Sequence, residues 1–157
     1  LEDLKNPFGK TYAEKAMIVL EEQITPIHFH YQKMEDIINR GGGELVIQLW
    51  NSLPNDELDT VNDVLLSVDG VKVKIKPGGT LTLTPGESVC LPQRNYHKFW
   101  GKKGKGTIFV GEVSRVNDDY VDNHFYEGVG RFAEIEEDVE PLHLLYGDYG
   151  KYYNPIK

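Results

Sequence analysis

The sequence predicts an all-β fold, a barrel or a sandwich, on two observations. Short runs of residues alternate apolar and polar side chains, and clusters of Gly, Pro and Asp separate them at close spacing. The length of 157 residues fits one domain with a substantial core, so residues 1–157 are expected to form a single domain. Charged residues make up 27% and aromatics 11%, a balance that opposes disorder. The net charge of −8 disfavours nucleic acid and anionic membranes as partners. No apolar run is long enough to span a bilayer, and no basic-then-apolar leader opens the chain. Cys90 is the only cysteine, which rules out an internal disulfide and agrees with a cytoplasmic location. The chain opens on Leu1 rather than Met, so an additional N-terminal piece is expected before it.

Taken in order, residues 1–10 are polar, contain Pro7 and Gly9, and read as a lead-in arm. Residues 12–21 fit a short helix or a strand, and the Met17-Ile18-Val19-Leu20 end favours a strand in the second half. Residues 25–31 make a histidine-bearing strand. Residues 32–43 read as a loop closing on Gly41, Gly42 and Gly43, a run that permits a tight bend beside a metal site. Residues 44–50 form a strand and residues 53–63 an acidic loop. Residues 63–68 lead into Asp69-Gly70, a strong hairpin signal. Beyond it Val71, Val73 and Ile75 face one way and Lys72, Lys74 and Lys76 the other. The lysines read as a solvated strand face, because antiparallel sheets commonly wet one side. Pro77-Gly78-Gly79 and Pro85-Gly86 bracket a strand in which Leu81 and Leu83 alternate with threonines. Residues 87–91 form a short strand and residues 92–96 a loop. His97 opens the next strand, with Phe99 and Trp100 following. A glycine- and lysine-rich turn at 101–106 precedes a strand at 107–116. Residues 117–125 read as acidic and irregular, and a short helix is expected near residues 139–145.

The chemistry concentrates in residues 25–42. His28 and His30 are two apart, so on a strand both imidazoles point to the same side. Glu35 follows after four more residues, enough for a bend that returns its carboxylate to the same spot. Two imidazoles and a carboxylate form a facial ligand set for a divalent first-row metal, with positions left open for substrate. His97 is placed to supply a fourth ligand. A single strand histidine is more often a satisfied or exposed residue than a ligand, whereas this combination at these spacings is not. His124 and His143 lack such support and read as surface or structural residues.

These residues resemble the two cupin motifs. The first reads His28-x-His30-x4-Glu35-x6-Gly42, and the second Gly86-x5-Pro92, then His97 at the matching spacing. Three positions depart from the pattern: Arg94 stands where the motif has Gly, Gly101 where it has Asn, and Glu22 where a Gly usually precedes the first histidine. All three concern turn geometry rather than ligands. Within the cupins, the blocks Thr25-Pro-Ile-His-Phe-His, Glu35-Asp-Ile-Ile-Asn-Arg-Gly-Gly-Gly, Gly86-Glu-Ser-Val-Cys-Leu-Pro and Gly111-Glu-Val-Ser-Arg-Val-Asn-Asp-Asp resemble the D-lyxose isomerase family.

That resemblance implies a single jelly-roll barrel and an aldose–ketose isomerisation of D-lyxose and D-xylulose, with D-mannose and D-fructose as a second pair. It implies a divalent metal, Mn²⁺ first and Zn, Fe, Co or Ni as alternatives, held by His28, His30, Glu35 and His97. A small sugar is the expected ligand, and a homodimer the expected assembly. Glu112 is the favoured base: it shares a strand face with Val110 and Ser114, and an inward carboxylate is costly unless paired or functional. Lys33, in the bend beside the metal, is the second catalytic candidate, since burial beside a cation lowers a lysine's pKa. Asp122 and its neighbours Asp118, Asp119 and Asn123 form a polar cluster that suits sugar hydroxyls. Arg131 is expected to close the pocket or pair with Glu112. Phe99 and Trp100 are expected as an apolar wall. The same ligand set also suits an Fe(II) dioxygenase, or a sugar-binding module without turnover.

Overall fold

The computed structural model describes residues 8–128, 136, 138–144 and 148–152. Its strands are β1 (Tyr12–Val19), β2 (His28–His30), β3 (Glu35–Gly42), β4 (Leu45–Ser52), β5 (Leu58–Asp59) and β6 (Val64–Val68), followed by β7 (Val71–Ile75), β8 (Thr80–Leu83), β9 (Ser88–Leu91), β10 (Asn95–Gly101), β11 (Ile108–Arg115) and β12 (Asn123–Phe125). Single helical turns form α1 (Asp119–Asp122) and α2 (Tyr149–Tyr152). One sheet has the order β1-β11-β3-β9-β6-β7; the other runs β12-β2-β10-β4-β5, with β8 also on β4. Ladders between named strands are antiparallel. This is the all-β architecture that the sequence predicts. Among the described residues, no helix is long and apolar enough to cross a membrane.

The two sheets close on one apolar cluster. Leu45, Ile47 and Leu49 alternate along β4 and are fully buried, and Ile37, Val89, Leu91, Ile108 and Val110 answer them from the other sheet. Each such side chain contributes about 1.5–3 kcal/mol on leaving water. The inward rows change character along the strands. On β3 the row runs from Glu35 to Ile37, on β10 from His97 to Phe99, and on β11 from Val110 to Glu112. Antiparallel pairing brings these polar ends together, because Ser114 lies opposite Glu35, Glu112 opposite Ile37, and His97 opposite His28.

Several local expectations change. The whole of residues 12–19 is strand, because β1 pairs along its length with β11. Residues 35–42 are strand rather than loop, zipped to β11 on one side and β9 on the other. Pairing begins at Asn95, before His97. Residues 117–125, expected to be irregular, form α1 and β12. The described part of residues 139–145 is non-helical, and the helical turn lies at Tyr149–Tyr152 instead.

The glycine run also sits elsewhere than expected. Gly42 and Gly43 lie at the far end of β3 from Glu35, packed against the backbone of residues 105–108. Gly42 has φ +93°, and a Cβ there would collide with the Thr107 carbonyl oxygen. Asn39 secures this end: its Nδ2 donates to the carbonyls of Gly43 and Leu83, both at 2.9 Å, and its Oδ1 accepts from Gly41 N at 3.0 Å.

Gly42→Ala combines a backbone clash with a left-handed φ and is expected to cost about 2 kcal/mol or more. Gly86→Ala meets only the backbone preference, since open space surrounds it at φ +97°; its cost is expected to be about 1–2 kcal/mol. Denaturant unfolding of the two variants checks the order.

Candidate active site

His28 and His30 project from β2 to the same inner face, as period-two alternation requires. His97 stands opposite His28 on the neighbouring strand β10. The ligand atoms of the three histidines lie within 4.8 Å of one another. Glu35 reaches them from the other sheet: its Oε1 lies 3.3 Å from His30 Nε2 and 3.0 Å from His97 Nε2.

The ring orientations are set by backbone carbonyls. His28 Nδ1 is 2.7 Å from Pro26 O, and His97 Nδ1 is 3.0 Å from Asn95 O. A carbonyl only accepts, so both Nδ1 atoms carry a proton, and in a neutral ring this leaves the Nε2 lone pair free for a ligand. His30 Nε2, His97 Nε2 and Glu35 Oε1 are buried without a hydrogen-bond partner. Buried polar atoms are rarely left so, and converging nitrogen lone pairs with a carboxylate oxygen are the donor set of a divalent cation. The residues therefore fit a metal. Burial, with His97 and His30 nearby, holds His28 well below the usual histidine range, so it stays neutral as a ligand must. Burial pushes Glu35 up, but the facing imidazoles of His30 and His97 outweigh it and hold the carboxyl well below the usual range.

Beside this group stands a run of charge. Lys33 Nζ lies 2.7 Å from Glu35 Oε2 and 3.0 Å from Glu112 Oε1. Burial works to lower the Lys33 pKa, but the Glu35 and Glu112 carboxylates prevail and raise it above the ordinary lysine value. Two carboxylates flank the ammonium and oppose the fall that burial favours. Lys15, opposite Glu112 on β1, places its Nζ 3.3 Å from Glu112 Oε1 and 3.8 Å from Asp119 Oδ2.

The three histidines, Glu35, Lys33, Glu112 and Lys15 border one cavity of about 330 Å³, with Met17, Ile37, Phe99 and Phe125 among the rest of its lining. Phe99 thus lies on the cavity wall, whereas Trp100 is not among its lining residues. Asp122 is placed otherwise than a sugar-binding role suggests. It is buried outside the lining, and its carboxylate accepts from the backbone of Gln32 and Lys33 and from Asn117 Nδ2. Asp118 caps α1 by accepting from Tyr120 N. His124 stacks on Phe29 behind the histidine strand, and His143 is exposed. Arg131 lies outside the described residues. Lys15 was not singled out from sequence. Its signal is a lysine in the inward row of β1, readable only once residues 12–19 are known to be strand throughout.

The D-lyxose isomerase family matches residues 1–149 of the chain. The chain is 50% identical over 139 residues to a D-lyxose/D-mannose isomerase of Escherichia coli O157:H7, a match covering 88% of this chain and 60% of that protein. It is 49% identical over 143 residues to the protein of the same name from Serratia proteamaculans, covering 91% of this chain and 62% of that one. The chain thus spans about 60% of the length of these curated relatives. Among solved structures, the ligand-free L-ribose isomerase of Cellulomonas parahominis aligns with a TM-score of 0.53 at 17% identity, over 74% of this chain and 58% of that one. At that identity the likeness is one of fold.

If the site holds a divalent metal, replacing His97 or Glu35 with Ala is expected to weaken its binding by more than the roughly 10- to 100-fold that outer-shell changes cause. Metal content after dialysis against a weak chelator, with circular dichroism as the folding control, checks this. Full metal retention in either variant removes that residue from the ligand set.

Proposed function

The chain belongs to the D-lyxose isomerase family, and from that premise we propose that it interconverts an aldose and its ketose by moving a proton between C1 and C2. D-lyxose and D-xylulose are the proposed pair, and D-mannose and D-fructose a longer second pair. The observation that carries this reading is the Glu35–Lys33–Glu112 run beside three histidines in a single cavity. A metal site alone would serve binding or oxygen chemistry equally well. A second carboxylate outside the ligand group, held by an ammonium, is what a proton shift between adjacent carbons requires.

His28, His30, His97 and Glu35 would hold the metal, with Mn²⁺ the first choice and Zn, Fe, Co or Ni also suited to these donors. A bound divalent cation would polarise the sugar oxygens and stabilise negative charge developing on them. Glu112 removes the proton from C2 of the aldose. The electron pair of that C–H bond becomes the C1–C2 double bond, and the carbonyl pair moves to O1. Glu112 then returns the proton to C1 as O2 becomes the ketose carbonyl. One oxygen proton is gained at O1 and one is lost from O2. Lys33, which holds the Glu112 Oε1 atom, is the group placed to pass it. Both lysines that touch Glu112 do so at Oε1, so Oε2 is assigned to the carbon-bound proton. Phe99 and Met17 supply apolar surface for the carbon skeleton. The cavity is at the small end of ligand pockets, a size that suits a pentose or hexose.

The test is D-xylulose formation from D-lyxose by metal-stripped protein, with and without added Mn²⁺, in air and without it. Metal-dependent ketose in both atmospheres is expected; consumption of oxygen in place of ketose would establish a dioxygenase instead. Glu112→Gln is expected to retain metal and lose about 100- to 10,000-fold in turnover, the usual worth of a general base. Normal turnover in that variant would move the role to another residue.

A further inference from the structure

Three successive N–H groups of the bend that carries Lys33 end on one residue. Tyr31 N donates to the Asp122 carbonyl at 3.0 Å, Gln32 N to Asp122 Oδ1 at 2.7 Å, and Lys33 N to Asp122 Oδ2 at 3.1 Å. Asn117 Nδ2 donates to the same Oδ2 at 2.9 Å. Asp122 is 4% exposed and does not line the cavity. The bend falls between β2 and β3, so its amides have no strand partner, and without this carboxylate those of Gln32 and Lys33 would lose the protein acceptor they have. Each side-chain partner is a donor, so an acceptor-only group is required. Asp122 follows Glu112 by ten residues of sequence, across the end of β11 and α1. Glu112 and the Lys33 backbone are therefore fastened to one short segment.

We propose that Asp122 is a positioning residue: it sets where the Lys33 ammonium stands between Glu112 and Glu35, and it acts through Lys33 alone. Its kinetic consequence rests on the isomerase reading above; its structural consequence does not. Asp122→Asn keeps the side chain's shape but offers a donor where a donor already points. Asn117→Ala removes one of the side-chain bonds and leaves the carboxylate in place.

The full chain is measured in three ways: kcat and KM for D-lyxose, Mn²⁺ affinity by titration, and acetylation of the Lys33 amine by acetic anhydride relative to Lys98, read by peptide mass spectrometry. In Asp122→Asn, kcat is expected to fall about 10- to 100-fold, as small misplacements of catalytic groups do. KM and Mn²⁺ affinity are expected to stay within about twofold, because no ground-state contact is touched. Acetylation of Lys33 is expected to rise severalfold, and Asn117→Ala to move each readout the same way by less. In a Lys33→Met background, Asp122→Asn is expected to lower kcat no further, as for two residues acting as a unit. Unchanged kcat in Asp122→Asn, losses that multiply with Lys33→Met, or a parallel loss of Mn²⁺ would overturn the proposal. If the wild-type chain forms no ketose, the isomerase reading falls, and the acetylation ratio still decides whether Asp122 places Lys33.

Discussion

Glu35 and Glu112 are buried in one cavity, and the ammonium of Lys33 stands between them. Two carboxylates stripped of water repel strongly in a medium of low dielectric, and each alone is expensive to bury. The lysine between them is itself 3% exposed, so it too has lost its hydration. Removing any one leaves the other two less well compensated, which makes the run a unit rather than a sum of pairs. It also divides the work of Glu35 between two atoms. Oε2 faces the ammonium, and Oε1 faces the imidazoles. Lys33 therefore joins the group that would hold a metal to the group that would move a proton.

The unit exists because of how the sheets are joined. The histidines come from β2 and β10 in one sheet, and Glu35, Glu112 and Lys15 from β3, β11 and β1 in the other. Among the connections that cross between the sheets beside the site are residues 31–34, residues 92–94 and residues 116–122. They are bonded to one another or to the strands they flank. Arg94 N donates to His30 O at 2.8 Å, Gln93 Nε2 to Gln32 O at 2.6 Å, and Asp122 gathers the amides of the first connection. The rim is thus tied around the cavity, while the apolar cluster fills the barrel below it. Preorganised groups of this kind need no rearrangement when charge develops on a substrate.

Much of the histidine group was legible because period-two spacing and motif distances depend on few residues. His28 and His30 share a face in any strand, and Glu112 could be placed inward from its neighbours Val110 and Ser114. Glu35 was legible as a residue but not as part of a strand, because residues 35–42 hold glycines and polar groups that look like a loop until both flanking strands are known. Lys15 was hidden by the helix-or-strand ambiguity of β1. Asp122 was visible only as one acid in a polar run. A carboxylate that meets sugar and one that meets backbone amides look the same in sequence, and here the partners lie 89 and 90 residues away.

The three departures from the cupin motifs follow from the backbone they occupy. Glu22 and Arg94, which stand where the motifs have glycine, both adopt left-handed conformations, with φ +57° and +60°. The turns have been kept and a side chain has been accommodated, at about 1–2 kcal/mol for each left-handed residue. At Arg94 the guanidinium offsets this by donating to Leu53 O at 2.9 Å and Asp56 Oδ1 at 2.6 Å. Hydrogen bonds to a charged group contribute about 1.5–3 kcal/mol, less where solvent screens them as it does here. The two effects are of similar size, so glycine is dispensable where a side chain can be held. At residue 101 the exchange runs the other way. A Cβ there would press on the Leu20 carbonyl, where the chain before β2 bridges to β10 through Glu21 and Gly101. An asparagine cannot fit so close an approach. The motif records a set of backbone constraints, and this chain meets the same constraints with different residues.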